Sequence, residues 1–170
     1  MKVKVKNKPW KHIIFDNFLS EKDFLRIKEI LFGEFPWYYR DQCVDKPHDQ
    51  TGYYFTHSFV KDNKVNSDFY DPEILPLVEK LKAKDILEIR ANLMMRRNDK
   101  YFTGYHIDTP RKVNTAIYYL NENNGNTCFG GNIEITPKEN QMLIFPSQMH
   151  HGNFMATDVK RRIVINFNYL

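Results

Sequence analysis

The chain has 170 residues, of which 42% are apolar and 15% aromatic, so it carries enough apolar matter for one packed core and is neither disordered nor fibrous. No apolar run approaches the roughly 18 residues of a membrane-spanning helix. Two cysteines, Cys43 and Cys128, are too few for a disulfide framework or a four-thiolate zinc site, and a net charge of +4 permits an acidic partner without arguing for one.

The first ten residues are basic and lack the apolar centre of a signal peptide, so the expectation is a soluble, non-secreted, cytoplasmic protein with no membrane partner. The alternating lysines and valines of residues 2–8 predict a solvated edge strand, the lysines deterring further pairing. Ser20-Glu21-Lys22-Asp23 resembles a capping box and opens a helix. Phe24, Ile27 and Leu31 give that helix its apolar stripe, Leu25 and Ile30 widen it, and Gly33 ends it. Phe35 to Arg40 reads as an aromatic strand, residues 41–51 as a polar loop, and Tyr53 to Val60 as another strand.

Asp71-Pro72 reads as the cap and first-turn proline of a second helix carrying Leu77, Val78 and Leu81, with Pro76 leaving its start open. Helical spacing then disappears. Ile86 to Arg97, Val113 to Leu120, Asn132 to Thr136, Met142 to Phe145 and Arg162 to Tyr169 read as strands. Turn signals such as Asn123-Asn124-Gly125, Gly130-Gly131 and Pro146 separate them. There is no repeat and no shift in composition, so residues 1–170 read as a single domain. The fold class is α+β, mainly β: a sandwich or barrel in the later half, braced by N-terminal helices.

His106 and Asp108 are two apart and share a face if the chain there is extended. His151 follows much later. Two imidazoles and one carboxylate can occupy one face of an octahedral metal and leave three positions open, which suits Fe(II), a chelating cosubstrate and O2. A His-x-Asp triplet alone arises often by chance; Arg162 gives it weight, because a planar guanidinium holds the remote carboxylate of a bidentate dicarboxylate. Strand parity selects that arginine. Ile163, Ile165 and Phe167 form an apolar face suited to the helices. Arg162, Val164, Asn166 and Asn168 form a face too polar for a dry core and suited to the wall of a wet pocket. Arg161 has the parity of the apolar face and reads as a strand-edge surface charge. His48 and His57 show no partner spacing and read as surface or core, and Cys128 reads as a small buried hydrophobe.

His106-x-Asp108, the run Thr115-Ala-Ile-Tyr-Tyr-Leu-Asn121, Gly130-Gly131, Phe145-Pro146-Ser147 followed by His151, and Arg162 opening a final strand together resemble the Fe(II)/2-oxoglutarate-dependent dioxygenases. The resemblance is to the prolyl-4-hydroxylase-like branch. Arg90-Ala-Asn-Leu93 and Val164-Ile-Asn-Phe-Asn-Tyr169 are also similar to short members encoded by marine bacteriophages, which would place the protein in a host cytoplasm. It is specific over roughly residues 86–170 and looser before them.

The resemblance implies a double-stranded β-helix (jelly-roll) core, with His106, Asp108 and His151 as metal ligands and catalytic centre. It implies Fe(II), 2-oxoglutarate and O2 as cofactors, with Arg162 pairing with the 5-carboxylate of 2-oxoglutarate. Tyr119 would donate to that carboxylate, and Asn166 and Asn92 would line the cofactor pocket. The implied activity is hydroxylation of a C–H bond with decarboxylation of 2-oxoglutarate to succinate. The substrate would be a peptidyl, prolyl-like side chain or a small molecule, with a nucleic acid compatible but not favoured. Met94 stands where the family often has a tyrosine near 2-oxoglutarate. His150 and His151 are adjacent, and the distances to Ser147 and Arg162 favour His151. Tyr101 to Gly104 and residues 41–51 are candidate covers for the mouth. Two other readings stay open: a binding module that keeps the fold without turnover, and a zinc hydrolase with Glu134 as base, which leaves Arg162 unexplained.

Overall fold

The computed structural model describes residues 11–41, 52–130 and 132–170. The lysine–valine run, Cys43, His48 and all but the first residue of the 41–51 segment lie outside the described residues. The elements in chain order are β1 (Ile13–Phe15), α1 (Glu21–Phe32), β2 (Tyr38–Arg40), β3 (Tyr54–Lys61) and β4 (Lys64–Val65). A π-type turn (Tyr70–Ile74) then leads into α2 (Leu75–Leu81) and β5 (Ile86–Met95). The rest is β6 (Asn114–Tyr119), β7 (Thr127–Phe129), β8 (Ile133–Ile135), β9 (Gln141–Pro146), β10 (His151–Asn153) and β11 (Arg161–Tyr169).

The long sheet runs β1-β9-β6-β11-β5-β3-β2, with β4 hanging on β3, and the short sheet runs β10-β7-β8. Every neighbour is antiparallel. Bridges from Phe102 to Phe154 and from His106 to His151 lay one more stretch of chain along the free edge of β10. The two sheets close on each other as the expected double-stranded β-helix.

β11 sits in the middle of the long sheet and is buried on both faces. Ile163, Ile165 and Phe167 pack with Phe24, Ile27 and Leu77 of the helices, as their parity predicts. Val164, on the opposite face, packs with Ile117, Tyr119, Phe129 and Phe145 between the sheets. Helix α1 opens as the capping box requires, the Ser20 hydroxyl accepting from the Asp23 N–H at 3.2 Å. Arg161 is not a free edge charge: it donates to the Phe32 carbonyl at 2.6 Å and lies 4.7 Å from the Phe32 ring. A last carbonyl of α1 is thereby satisfied by a cation from β11.

Three further expectations need correction. Asp71 is extended (φ −114°, ψ 125°) and caps nothing; α2 begins at Leu75 with Pro76 in its first turn. The aromatic strand is confined to Tyr38–Arg40. The Tyr101 to Gly104 stretch is tied down, with Thr103 N–H donating to Asn153 O and Met155 N–H to Tyr101 O, both at 2.9 Å. It is a strand edge rather than an untethered flap. Among the described residues no helix is long and apolar enough to cross a membrane.

Candidate active site

His106 and His151 face each other across an antiparallel bridge and exchange both backbone hydrogen bonds, each 2.9 Å. Residues directly opposite in such a ladder point to the same face, and here the imidazole centroids are 4.6 Å apart. Asp108 is two residues beyond His106. Its Oδ1 lies 3.5 Å from His106 Nε2 and 3.6 Å from His151 Nε2. One ligand atom from each of the three lies within 4.8 Å of the others. The neighbouring His150 is exposed, so the geometry selects His151. Gly152 makes the bridge feasible: a Cβ there would collide with Gly104 O and stand 2.8 Å from Phe102 Cζ. Gly104, at φ 95°, adopts the left-handed backbone that glycine tolerates.

The Asp108 side chain is 1% exposed, yet neither carboxylate oxygen has a hydrogen-bond donor. A buried, unpartnered carboxylate is costly. Burial pushes the Asp108 carboxyl up, but the His106 side chain and the charges of His151 and Arg90 outweigh it and hold the carboxyl below the usual range. Burial pushes His151 down, with the charge of Asp108 opposing. His151 Nδ1 lies 3.2 Å from the Met149 carbonyl, and donating there leaves the Nε2 lone pair directed at Asp108. An ionised carboxylate and a neutral imidazole are the forms that bind a divalent cation.

Across the pocket lies Arg162, 2% exposed. Its Nε donates to Gly125 O at 3.0 Å and its Nη2 to Thr127 Oγ1 at 3.4 Å, while Nη1 is 3.7 Å from Met94 Sδ. No carboxylate among the described residues pairs with it. The Tyr119 hydroxyl hydrogen-bonds Thr127 Oγ1 at 2.7 Å, and its ring lies 5.8 Å from the guanidinium. Burial pushes Tyr119 up to about 12, so it stays a neutral phenol that can donate. Burial pushes Arg162 down from its ordinary value, but a guanidinium starts so high that it stays charged. A buried cation without an anion, open to a pocket, is a receptor for one.

The register joins Arg162 to Met94, Val164 to Asn92, and Asn166 to Arg90, and all six line the pocket that His106 and His151 face. Asn92 and Asn166 therefore line the same pocket as Arg162 and the two histidines; Asn92 Oδ1 accepts from Thr56 Oγ1 at 3.1 Å. Asn168, on the same face by parity, is instead used by Thr115 Oγ1 at 2.8 Å. Met94, where the resemblance leads one to expect a tyrosine, offers Arg162 a weak sulfur acceptor. Thr127 escaped the sequence reading because it sits in a three-residue strand with no periodicity to expose it. Arg90 escaped although its parity with Asn92 was available. His57 is core, hydrogen-bonded to Pro36 O and Ser67 Oγ at 2.8 and 2.7 Å, and Cys128 is buried. Glu134 accepts from Asn126 on the surface and is no part of the cluster, which removes the base that a zinc hydrolase needs.

Residues 91–170 match the family model of the 2OG-Fe(II) oxygenase superfamily. The matched stretch contains His106, Asp108, His151 and Arg162. No curated protein matches it by sequence. In fold the chain is similar to a 2OG-Fe(II) oxygenase-family oxidoreductase from Burkholderia pseudomallei (TM-score 0.67, 12% identity, 93% of this chain and 84% of that one). It is similar to a prolyl-4-hydroxylase from Pseudomonas putida (0.61, 15%, 95% and 93%). It is also similar to a prolyl hydroxylase from Trichoplax adhaerens in complex with a hypoxia-inducible-factor peptide (0.67, 13%, 93% and 83%). The cofactors of this superfamily are Fe(II), 2-oxoglutarate and O2. The donor set fits them: an unpartnered buried carboxylate between two imidazoles suits the cation, and an unpaired buried guanidinium suits the dicarboxylate.

Proposed function

We propose that residues 1–170 form a single catalytic domain that hydroxylates a C–H bond, with His106, Asp108 and His151 holding Fe(II). Arg162 pairs with the 5-carboxylate of 2-oxoglutarate, Tyr119 donates to the same carboxylate, and Asn92 and Asn166 line the cofactor's wall. When bound, the metal and cosubstrate supply the oxidant for the C–H bond as 2-oxoglutarate is converted to succinate and CO2. The protein contributes placement: two imidazoles and one carboxylate leave one side of the cation open, Thr127 fixes both Tyr119 and Arg162, and the apolar wall between the sheets limits water. The observation that carries this reading is the 2%-exposed guanidinium of Arg162, without a carboxylate partner among the described residues, in one pocket with His106 and His151; a hydrolase gives it no use. For the substrate we propose a peptidyl, prolyl-like side chain, supported by the fold shared with two prolyl hydroxylases, one of them holding a peptide.

The test is anaerobic titration of the protein with Fe(II), then 2-oxoglutarate, following the visible charge-transfer band of the chelate. His106→Ala should abolish the band. Arg162→Ala should weaken 2-oxoglutarate binding by tenfold or more while leaving metal affinity near wild type. Unchanged 2-oxoglutarate affinity in Arg162→Ala would overturn the assignment.

A further inference from the structure

β5 and β11 set three pairs of side chains along the pocket wall: Met94 with Arg162, Asn92 with Val164, and Arg90 with Asn166. Successive pairs are two extended residues, about 7 Å, apart, so the wall from Arg162 to Arg90 is about 13 Å long. A five-carbon dicarboxylate measures only about 5 Å between its carboxyl carbons. Seated on Arg162, it is used up by the second pair, and the third pair stands beyond it. There the Arg90 Nε is buried without a hydrogen-bond partner, and so is Asn166 Oδ1. Arg90 shares the pocket with His106 and Tyr54. Its one ion-pair neighbour among the described residues is Glu88, Oε1 at 3.7 Å from Nη1, too far for a hydrogen bond.

We propose that Arg90 is a substrate-binding residue, donating to a carbonyl oxygen of the peptide unit next to the carbon that is oxidised. This rests on the reading of the site given above. The contrast with Arg162 selects the acceptor. Arg162 has no carboxylate among the described residues and suits an anion; the charge of Arg90 already acts on Glu88 and on Asp108 and suits a neutral carbonyl, which a peptide supplies and a free acid replaces by a carboxylate. One donor fixed at the third pair sets which substrate atom lies over the triad, so Arg90 acts on orientation as well as affinity.

The experiment measures substrate-dependent succinate formation with the blocked peptide acetyl-Ala-Pro-Gly-amide and, in parallel, with N-acetylproline as the free acid. It also measures calorimetric binding of 2-oxoglutarate to the Mn(II)-loaded protein. The blocked peptide should be turned over in preference to the acid. Arg90→Gln should raise its KM by tenfold or more, and Arg90→Lys should recover part of the loss. The Kd for 2-oxoglutarate should stay within twofold of wild type in both variants. An unchanged peptide KM in Arg90→Gln, no stimulation by the peptide in the wild type, or preference for the free acid overturns the proposal while leaving the cofactor site standing. Loss of 2-oxoglutarate affinity in Arg90→Gln moves Arg90 to the cosubstrate and overturns it too. A wild-type protein that fails to bind 2-oxoglutarate removes the underlying reading itself.

Discussion

Arg162 is positioned by what surrounds it more than by its own strand. A Cβ at Gly125 would stand 2.8 Å from Arg162 Cδ, from Asn123 Oδ1 and from the Phe154 carbonyl, so this turn has room for a hydrogen only. The same residue's carbonyl accepts from Arg162 Nε. Gly125→Ala should therefore displace the guanidinium and weaken 2-oxoglutarate binding about tenfold, with Mn(II) binding kept; calorimetry of both ligands on the purified variant measures it. Tyr119→Phe removes a single donor and should cost about fivefold in the same affinity, the worth of one hydrogen bond near 1 kcal/mol. Because burial raises the Tyr119 phenol to about 12, it is protonated below that value. Its contribution should be flat from pH 7 to 10, and a loss specific to wild type with a midpoint near 10 would contradict the assigned donor.

At the scale of elements, the histidines meet because two strands pair. The bridge between the 102–106 stretch and β10 sets His106 opposite His151, and Gly152 lets the backbones approach. Gly152→Ala should open that edge and separate the imidazoles without touching a ligand side chain. Metal affinity should fall by at least tenfold while the far-ultraviolet circular dichroism keeps its β signature; unaltered Mn(II) affinity would show that the edge is not what aligns the ligands. The sequence revealed unequal parts of this. β11 has nine residues, long enough for alternation to show, and that alternation alone places Ile163 against the helices and Arg162 in the pocket. β1, β7 and β10 have three residues each, too few for a period of two to register. The pairing that joins His106 to His151 is a tertiary contact, so the ligands were readable as residue types and their convergence was not. The start of α2 is not legible locally, because two prolines, Pro72 and Pro76, each satisfy the first-turn preference and local chemistry does not choose between them.

On the scale of the whole molecule, the proposed anion site hangs on the long sheet through β11 and β6, and the proposed cation site on the short sheet through β10 and the stretch beside it. Occupying both should tie the sheets together, so ligands should stabilise the native state by mass action. With each ligand near one hundred times its Kd, the gain is about 2.7 kcal/mol apiece. For a chain of this length that corresponds to about 5–10 °C in Tm. Scanning calorimetry should show one step in Tm on adding Mn(II) and a second on adding 2-oxoglutarate, both reversed by chelator. His106→Ala should lose the first step and, lacking the cation that chelates the cosubstrate, most of the second. Arg162→Ala should keep the first and lose the second. The order of loss matters more than the size: if 2-oxoglutarate raises the Tm of Arg162→Ala as much as that of wild type, the anion binds elsewhere and the two-sheet clamp is wrong.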